Sequence, residues 1–176
     1  ILEKGSGGNF IVYQTSLLGS GERDAEIIEL DRVTGGLNAG LAKRYEYISS
    51  DALSKMIYVD GALYGTGTSS CRYGNLNLVH SRQLLARFDP GTFDPIWGHL
   101  NHLDTLAPVS FHGRELLADS NALVSAYGGS SAFVIGGGGN DTIYLQKTDL
   151  NGNIQWVRKY SVLGGVLKLL SVPDGY

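Results

Sequence analysis

Several groups of residues in this sequence have the types and spacing that chemistry requires. The stretch "GGGGNDTIY", Gly136 to Tyr144, fits the nonapeptide of calcium-binding parallel β-helices, in which Gly-rich turns and an Asp carboxylate enclose a hard cation. His99 and His102 with Asp104, in "HLNHLD", offer imidazole and carboxylate donors for a metal. Cys71 with His80 or His112 would be a nucleophile and its base. Asp89 and Asp94 are paired carboxylates, and "YGTGTSS" has the glycines of a phosphate cradle.

Each grouping lacks a part that its chemistry needs. A calcium roll shares each ion between tandem turns, yet neither "YGGSSAFVI" before the stretch nor "LQKTDLNGN" after it repeats the pattern. The stretch therefore reads as a glycine-rich strand end, with Asp141 opening the next strand. On a strand, positions i and i+3 point to opposite faces, so His99 and His102 read as surface histidines. No signal places Cys71 beside either histidine, and a lone Cys reads as an inert, partly buried thiol. Asp89 and Asp94 flank "PGTF", where Asp and Pro are turn formers. The cradle has no following helix and no Lys after its glycines. Asn140-Asp141-Thr142 forms a glycosylation sequon, and "DTL" at Asp104 and "DTI" at Asp141 resemble a short bacterial O-glycosylation signal. No catalytic set, metal site or cofactor is expected.

The elements that carry these residues follow from composition. With 25 glycines, 10 tyrosines and 4 prolines in 176 residues, the chain suits many short strands joined by tight turns, an all-β class. No segment keeps an amphipathic helical spacing; "RELLADSNALVSAY" and "SSDALSKMIYV" come nearest, and one short helix at Arg114 to Ala122 is the single helical expectation. A net charge of −3 without a basic stripe argues against nucleic acid. No apolar run reaches the roughly 20 residues that span a bilayer. The start "ILEKGSGGNF" has neither an initiator Met nor a charged-then-apolar leader, as expected of a chain cut from, or matured out of, something longer. One cysteine excludes an internal disulfide framework.

Self-similarity organises the chain. "EIIELDRVTGGLNAGLAKRY", "QLLARFDPGTFDPIWGHLNHL" and "IYLQKTDLNGNIQWVRKY" share a strand, an Asp, a turn and a second strand, with Asp31, Asp89 and Asp149 in register. In the third, Asn151-Gly152 predicts the positive-φ pair of a two-residue hairpin. Ahead of them recur "SGGNFIVYQTS", "VDGALYGTGTS" and "YGGSSAFVIGGGG", expected to hold the innermost strands, and a fourth copy begins at "SVPDGY". The expected architecture is a β-propeller of about three four-stranded antiparallel blades plus the start of a fourth, within one domain spanning 1–176. Its units run 1–47, 48–103, 104–160 and, incomplete, 161–176. Three and a fraction blades cannot close, so this is expected to be part of a larger ring, completed by the remainder of a longer polypeptide or by other chains.

At "DTIYLQKTDLNGNIQWVRKY", followed by "LGG", and at "VDGALYGTGTS", the sequence resembles the β-propeller repeats of secreted and outer-surface bacterial proteins, some delivered by type IX secretion. The first two units depart from that pattern at Leu41 and at the insertion "CRYGNLNLVHSR". The resemblance implies four-stranded blades with Trp97 and Trp156 packed between them, and no chemistry of its own. The function expected is a structural or binding module of an exported, cell-surface multidomain protein, touching a protein or glycan partner through the rim-loop aromatics Tyr73, Phe93 and Phe111. The alternative is a propeller-type glycosidase or lyase with its active-site residues largely outside this segment. That reading requires inward acidic residues on "NFIVYQTS", "ALYGTGTS" and "AFVIGGGG", which carry none.

Overall fold

The structure is a computed structural model that describes residues 1–5, 8–17, 23–45, 50–73, 78–100, 109–131, 142–161 and 168–170. Among them every regular element is a strand: β1 Leu2–Glu3, β2 Phe10–Leu17, β3 Arg23–Leu30, β4 Leu37–Tyr45, β5 Ser50–Val59, β6 Ala62–Tyr73, β7 Leu78–Phe88, β8 Pro95–Leu100, β9 Val109–Asp119, β10 Ala122–Ser131, β11 Thr142–Asp149 and β12 Ile154–Ser161. They form three four-stranded antiparallel meanders: β1–β4, β5–β8 and β9–β12. A single parallel pair, Arg23 with Ser50, joins the start of β3, a strand inside the first meander, to the start of β5 in the second. That one pair makes them formally one eight-stranded sheet, but they pack as two layers, as their shared core shows.

Residue alternation explains the layering. Along β6 and β7, Leu63, Leu84, Ala86 and Phe88 turn toward the first sheet, where they meet Ile11, Ala25 and Ile27. The residues between them, Tyr64 and Leu85, turn the other way and meet Leu116 and Leu123 of the third sheet. A sheet buried on both faces needs apolar residues at both phases of the two-residue period, and the runs "ALY" and "LLARF" supply them. Each of the Leu, Ile and Phe side chains among them, almost fully removed from water, contributes about 1.5–3 kcal/mol of transfer free energy. A third cluster, Val124, Ala126 and Leu169, lies on the far face of the third sheet.

Short turns set the meander. Asp60 and Gly61, at φ of 49° and 75°, form the two-residue hairpin between β5 and β6, and Ser120 at 54° begins the equivalent turn between β9 and β10. The short helix expected over Arg114 to Ala122 is instead strand β9, that turn and the start of β10. Cross-strand pairing with an apolar partner outweighs the local helix preference of "RELLA". The hairpin expected from Asn151-Gly152 differs too: only Gly152 has a positive φ, 88°, within a three-residue connection closed by Asp149 and Asn153. "NFIVYQTS" and "ALYGTGTS" fall on β2 and β6, second from the edge of their sheets, whereas the third sheet's second strand is β10; "AFVIGGGG" lies outside the described residues.

The three Asp residues in register each organise the turn between third and fourth strands. Asp31 Oδ1 accepts the amides of Val33 and Thr34, at 3.0 and 2.7 Å. Asp89 Oδ1 accepts those of Gly91 and Thr92, at 2.7 and 2.9 Å. Asp149 Oδ1 accepts those of Asn151 and Asn153, both at 2.9 Å, while its Oδ2 accepts the Asn153 side-chain amide at 2.8 Å. That amide, followed by the backbone donors, holds the Asp149 carboxyl below its ordinary value of 3.8. Folding then favours the ionised form, so its contribution is present above the ordinary value and is lost as pH falls through the lowered folded value. Stability measured by urea unfolding should fall with acidification below about pH 4, and Asp149→Ala should flatten that slope. An unchanged slope would remove Asp149 from the account.

Candidate functional site

The feature that recurs is a turn seated on the outer strand of the neighbouring sheet. The β7–β8 turn rests on β4: Tyr45 donates its hydroxyl hydrogen to the Phe93 carbonyl, and Lys43 pairs with Asp94. The Lys43 ammonium holds the Asp94 carboxyl below its usual range. Phe93 itself sits at φ 59° with its ring wholly buried in the cluster shared by the first and second sheets. The β11–β12 turn rests on β8 in the same way. A Cβ on Gly152 would stand 2.6 Å from His99 Nε2 and 3.2 Å from Trp97 Cζ3, so only a glycine lets the turn settle there. The Tyr64 hydroxyl reaches the Leu150 carbonyl at 3.4 Å. The Trp97 and His99 rings, tilted by 35° with centroids 5.2 Å apart, form the platform beneath the turn.

Two further contacts fix the third sheet on the second. Buried Gln83 donates through Nε2 to Ser125 Oγ at 3.0 Å, linking β7 to β10. Gly113 on β9 comes so close to β6 that a Cβ there would lie 2.4 Å from the Gly67 carbonyl oxygen and 2.8 Å from its nitrogen. A register shift in the β9–β10 pairing at Ala126/Tyr127 accompanies this approach.

The first sheet carries a polar cluster. Buried Glu29 accepts from Lys4 Nζ at 2.7 Å, from Asn9 Nδ2 at 2.7 Å and from Asn38 Nδ2 at 3.4 Å. Desolvation of Glu29 raises its pKa, and these donors together outweigh it, leaving the carboxyl below its usual range. A carboxylate so held is a strut for the β1–β2 connection rather than a proton donor. Asp24 and Asp51 are buried beside the Arg23–Ser50 pair, with Arg44 Nε 4.0 Å from Asp24. Neither acidic residue was on the strands expected to face inward.

The residues singled out from sequence are not drawn into one place. Phe93 is a core residue whose ring no partner can reach, which corrects its expected place on a rim loop. The backbones of Tyr73 and Phe111 belong to β6 and β9, and their side chains lie outside the described residues, as do those of Cys71, His80 and His112. His102, Asp104 and the stretch from Gly136 to Asp141 also lie outside them. His99 is described, on β8, as part of the platform under Gly152. Among the described residues no group of three His, Cys, Asp or Glu side chains could hold a metal ion, and no helix could cross a membrane.

Fold and site together define an all-β protein of three four-stranded antiparallel sheets, the second and third each locked to the one before by an Asp-anchored turn. No protein-family model matches the chain, and no curated protein sequence matches it.

Proposed function

We propose that this chain is a non-catalytic structural and binding segment of a β-propeller, in an exported, cell-surface bacterial protein of several domains. The observation that carries the reading is the turn-on-strand lock, made once between the first and second sheets and again between the second and third. Such a lock adds layers of one kind and positions no reacting group. Buried Gln83 and Glu29 are tied to neighbours in the fold. In this reading Tyr73 and Phe111 remain the candidate aromatic contacts to a protein or glycan.

The native polypeptide that contains this chain should bind glycans or surface proteins on an array and release no sugar from a panel of polysaccharides. Release of reducing ends that is proportional to its concentration would overturn the non-catalytic reading.

A further inference from the structure

Three buried, oxygen-bearing side chains meet where the first and second sheets join. Arg23 and Ser50 are parallel partners, so the residues that follow them, Asp24 on β3 and Asp51 on β5, are neighbours on one face. Asp51 in turn lies directly opposite Ser69 on β6. Asp24, Asp51 and Ser69 thus form a row across three adjacent strands, and they are 4%, 1% and 1% exposed. Cross-strand partners hold their Cβ atoms about 4.5–5.5 Å apart, which sets the Ser69 hydroxyl beside the Asp51 carboxylate. Ser69 Oγ is buried and has no hydrogen-bond partner among the described residues.

The repeat itself does not ask for these residues. Asp24 stands seven residues before Asp31, as Arg82 stands seven before Asp89. Ser69 and Gly129 each lie seven beyond the alanine that opens their strand, Ala62 and Ala122. Gly129 pairs with Phe111 where Ser69 pairs with Asp51. At the junction of the second and third sheets the same three places therefore hold an arginine, an aromatic and a glycine. The layers join there without these oxygens, so at the first junction the oxygens have another use.

Two carboxylates held side by side away from water repel each other, and a buried hydroxyl without a partner adds a desolvation cost. The described cations stand at the margins of the row. Arg44 Nε is 4.0 Å from Asp24, but the side chain is 44% exposed and is shared with Glu26 at 3.9 Å. Arg82, partly buried, follows Ser69 in the row on β7. A hard cation between the strands would take both carboxylates and the hydroxyl as ligands at once.

We propose that Asp24, Asp51 and Ser69 hold a calcium ion that ties β3 of the first sheet to β5 and β6 of the second. All three side chains offer oxygen, the donor of calcium and magnesium rather than of zinc or copper. They come from separate strands, whose spacing the sheet dictates. Calcium accepts about 6–8 oxygens in irregular geometry, whereas magnesium demands a near-ideal octahedron. Water or main-chain carbonyls take the remaining places in that shell. With two carboxylates rather than three or four, the site is a weak one, with a Kd of about 0.1–1 mM.

Hydrogen exchange on the native polypeptide that contains this chain, stripped of metal by a chelator, tests the site with calcium chloride as the probe. Calcium at about 5 mM should slow exchange about fivefold or more in β3, β5 and β6 and leave β11 and β12 unchanged. Asp51→Asn should abolish that response and, without calcium, exchange no faster than the unaltered protein, because one of two neighbouring like charges is gone. Ser69→Ala keeps both carboxylates and should need about three times as much calcium, or more, for the same effect. No response to calcium in the folded, unaltered protein overturns the proposal. So does an Asp51→Asn variant that exchanges faster by the same factor with and without calcium, which would make Arg44 or Arg82 the compensating charge. An equal response to magnesium would overturn calcium as the ion.

Discussion

Gly113→Ala should cost about 3 kcal/mol and loosen the third sheet alone. The added Cβ would stand 2.4 Å from the Gly67 carbonyl oxygen, 2.7 Å from Thr66 Oγ1 and 2.8 Å from the Gly67 nitrogen. Two of the three are backbone atoms inside a paired strand, so neither can swing aside, and β9 must withdraw from β6. Withdrawal parts Leu116 from Tyr64 and stretches the bond from Gln83 to Ser125. The cluster between the first and second sheets does not involve β9 and should hold. Hydrogen exchange should therefore show protection lost across β9–β12 and retained in β2, β3, β6 and β7. Gly128→Ala is the control, because a Cβ there meets nothing within 4 Å. Equal effects of the two substitutions would mean that the close approach is not what seats the third sheet.

The second large effect belongs to Phe93. Truncation to Ala removes a fully buried ring and should cost about 3–5 kcal/mol, a large share of the total stability of a domain. The backbone adds a signature. At φ 59° a side chain with a Cβ is disfavoured by about 1–2 kcal/mol, and Gly is not. Phe93→Gly should therefore be no less stable than Phe93→Ala, the reverse of the order expected at an ordinary extended position. Thermal or urea unfolding of the two variants decides it, and a Gly variant clearly weaker than the Ala variant would mean that the turn relaxes out of that conformation. Lys43→Ala, which removes only an exposed ion pair with Asp94, should change stability by under about 1 kcal/mol.

The sequence made the Asp-anchored turns legible, because Asp31, Asp89 and Asp149 recur with strand-forming residues on both sides and the turn chemistry is local. The all-β class was legible for the same reason. What lay on top of the turns was not. "PGTFD" reads as an exposed turn with an aromatic at its tip, and only the packing of the first sheet against the second shows why a Phe holds a left-handed conformation there. The helix expected at Arg114 failed because local spacing says nothing of the partner strand, β10, that fixes its phase. The second strand of the third sheet was misplaced because "YGGSS" resembles the glycine-rich strands before it. The better signal was "DSNALV" beside "VDGALY", a tight turn followed by the same apolar phase. Leu169 could have been found in the same way, from "KLL" beside "KMI".

The central claim is that each sheet is one layer of a ring built by repetition of a single interface. Electron microscopy of the native polypeptide that contains this chain tests it most directly. The account predicts class averages showing a closed ring of radially arranged layers around a central channel. A closed two-sheet sandwich, or an open straight stack of layers, would contradict it.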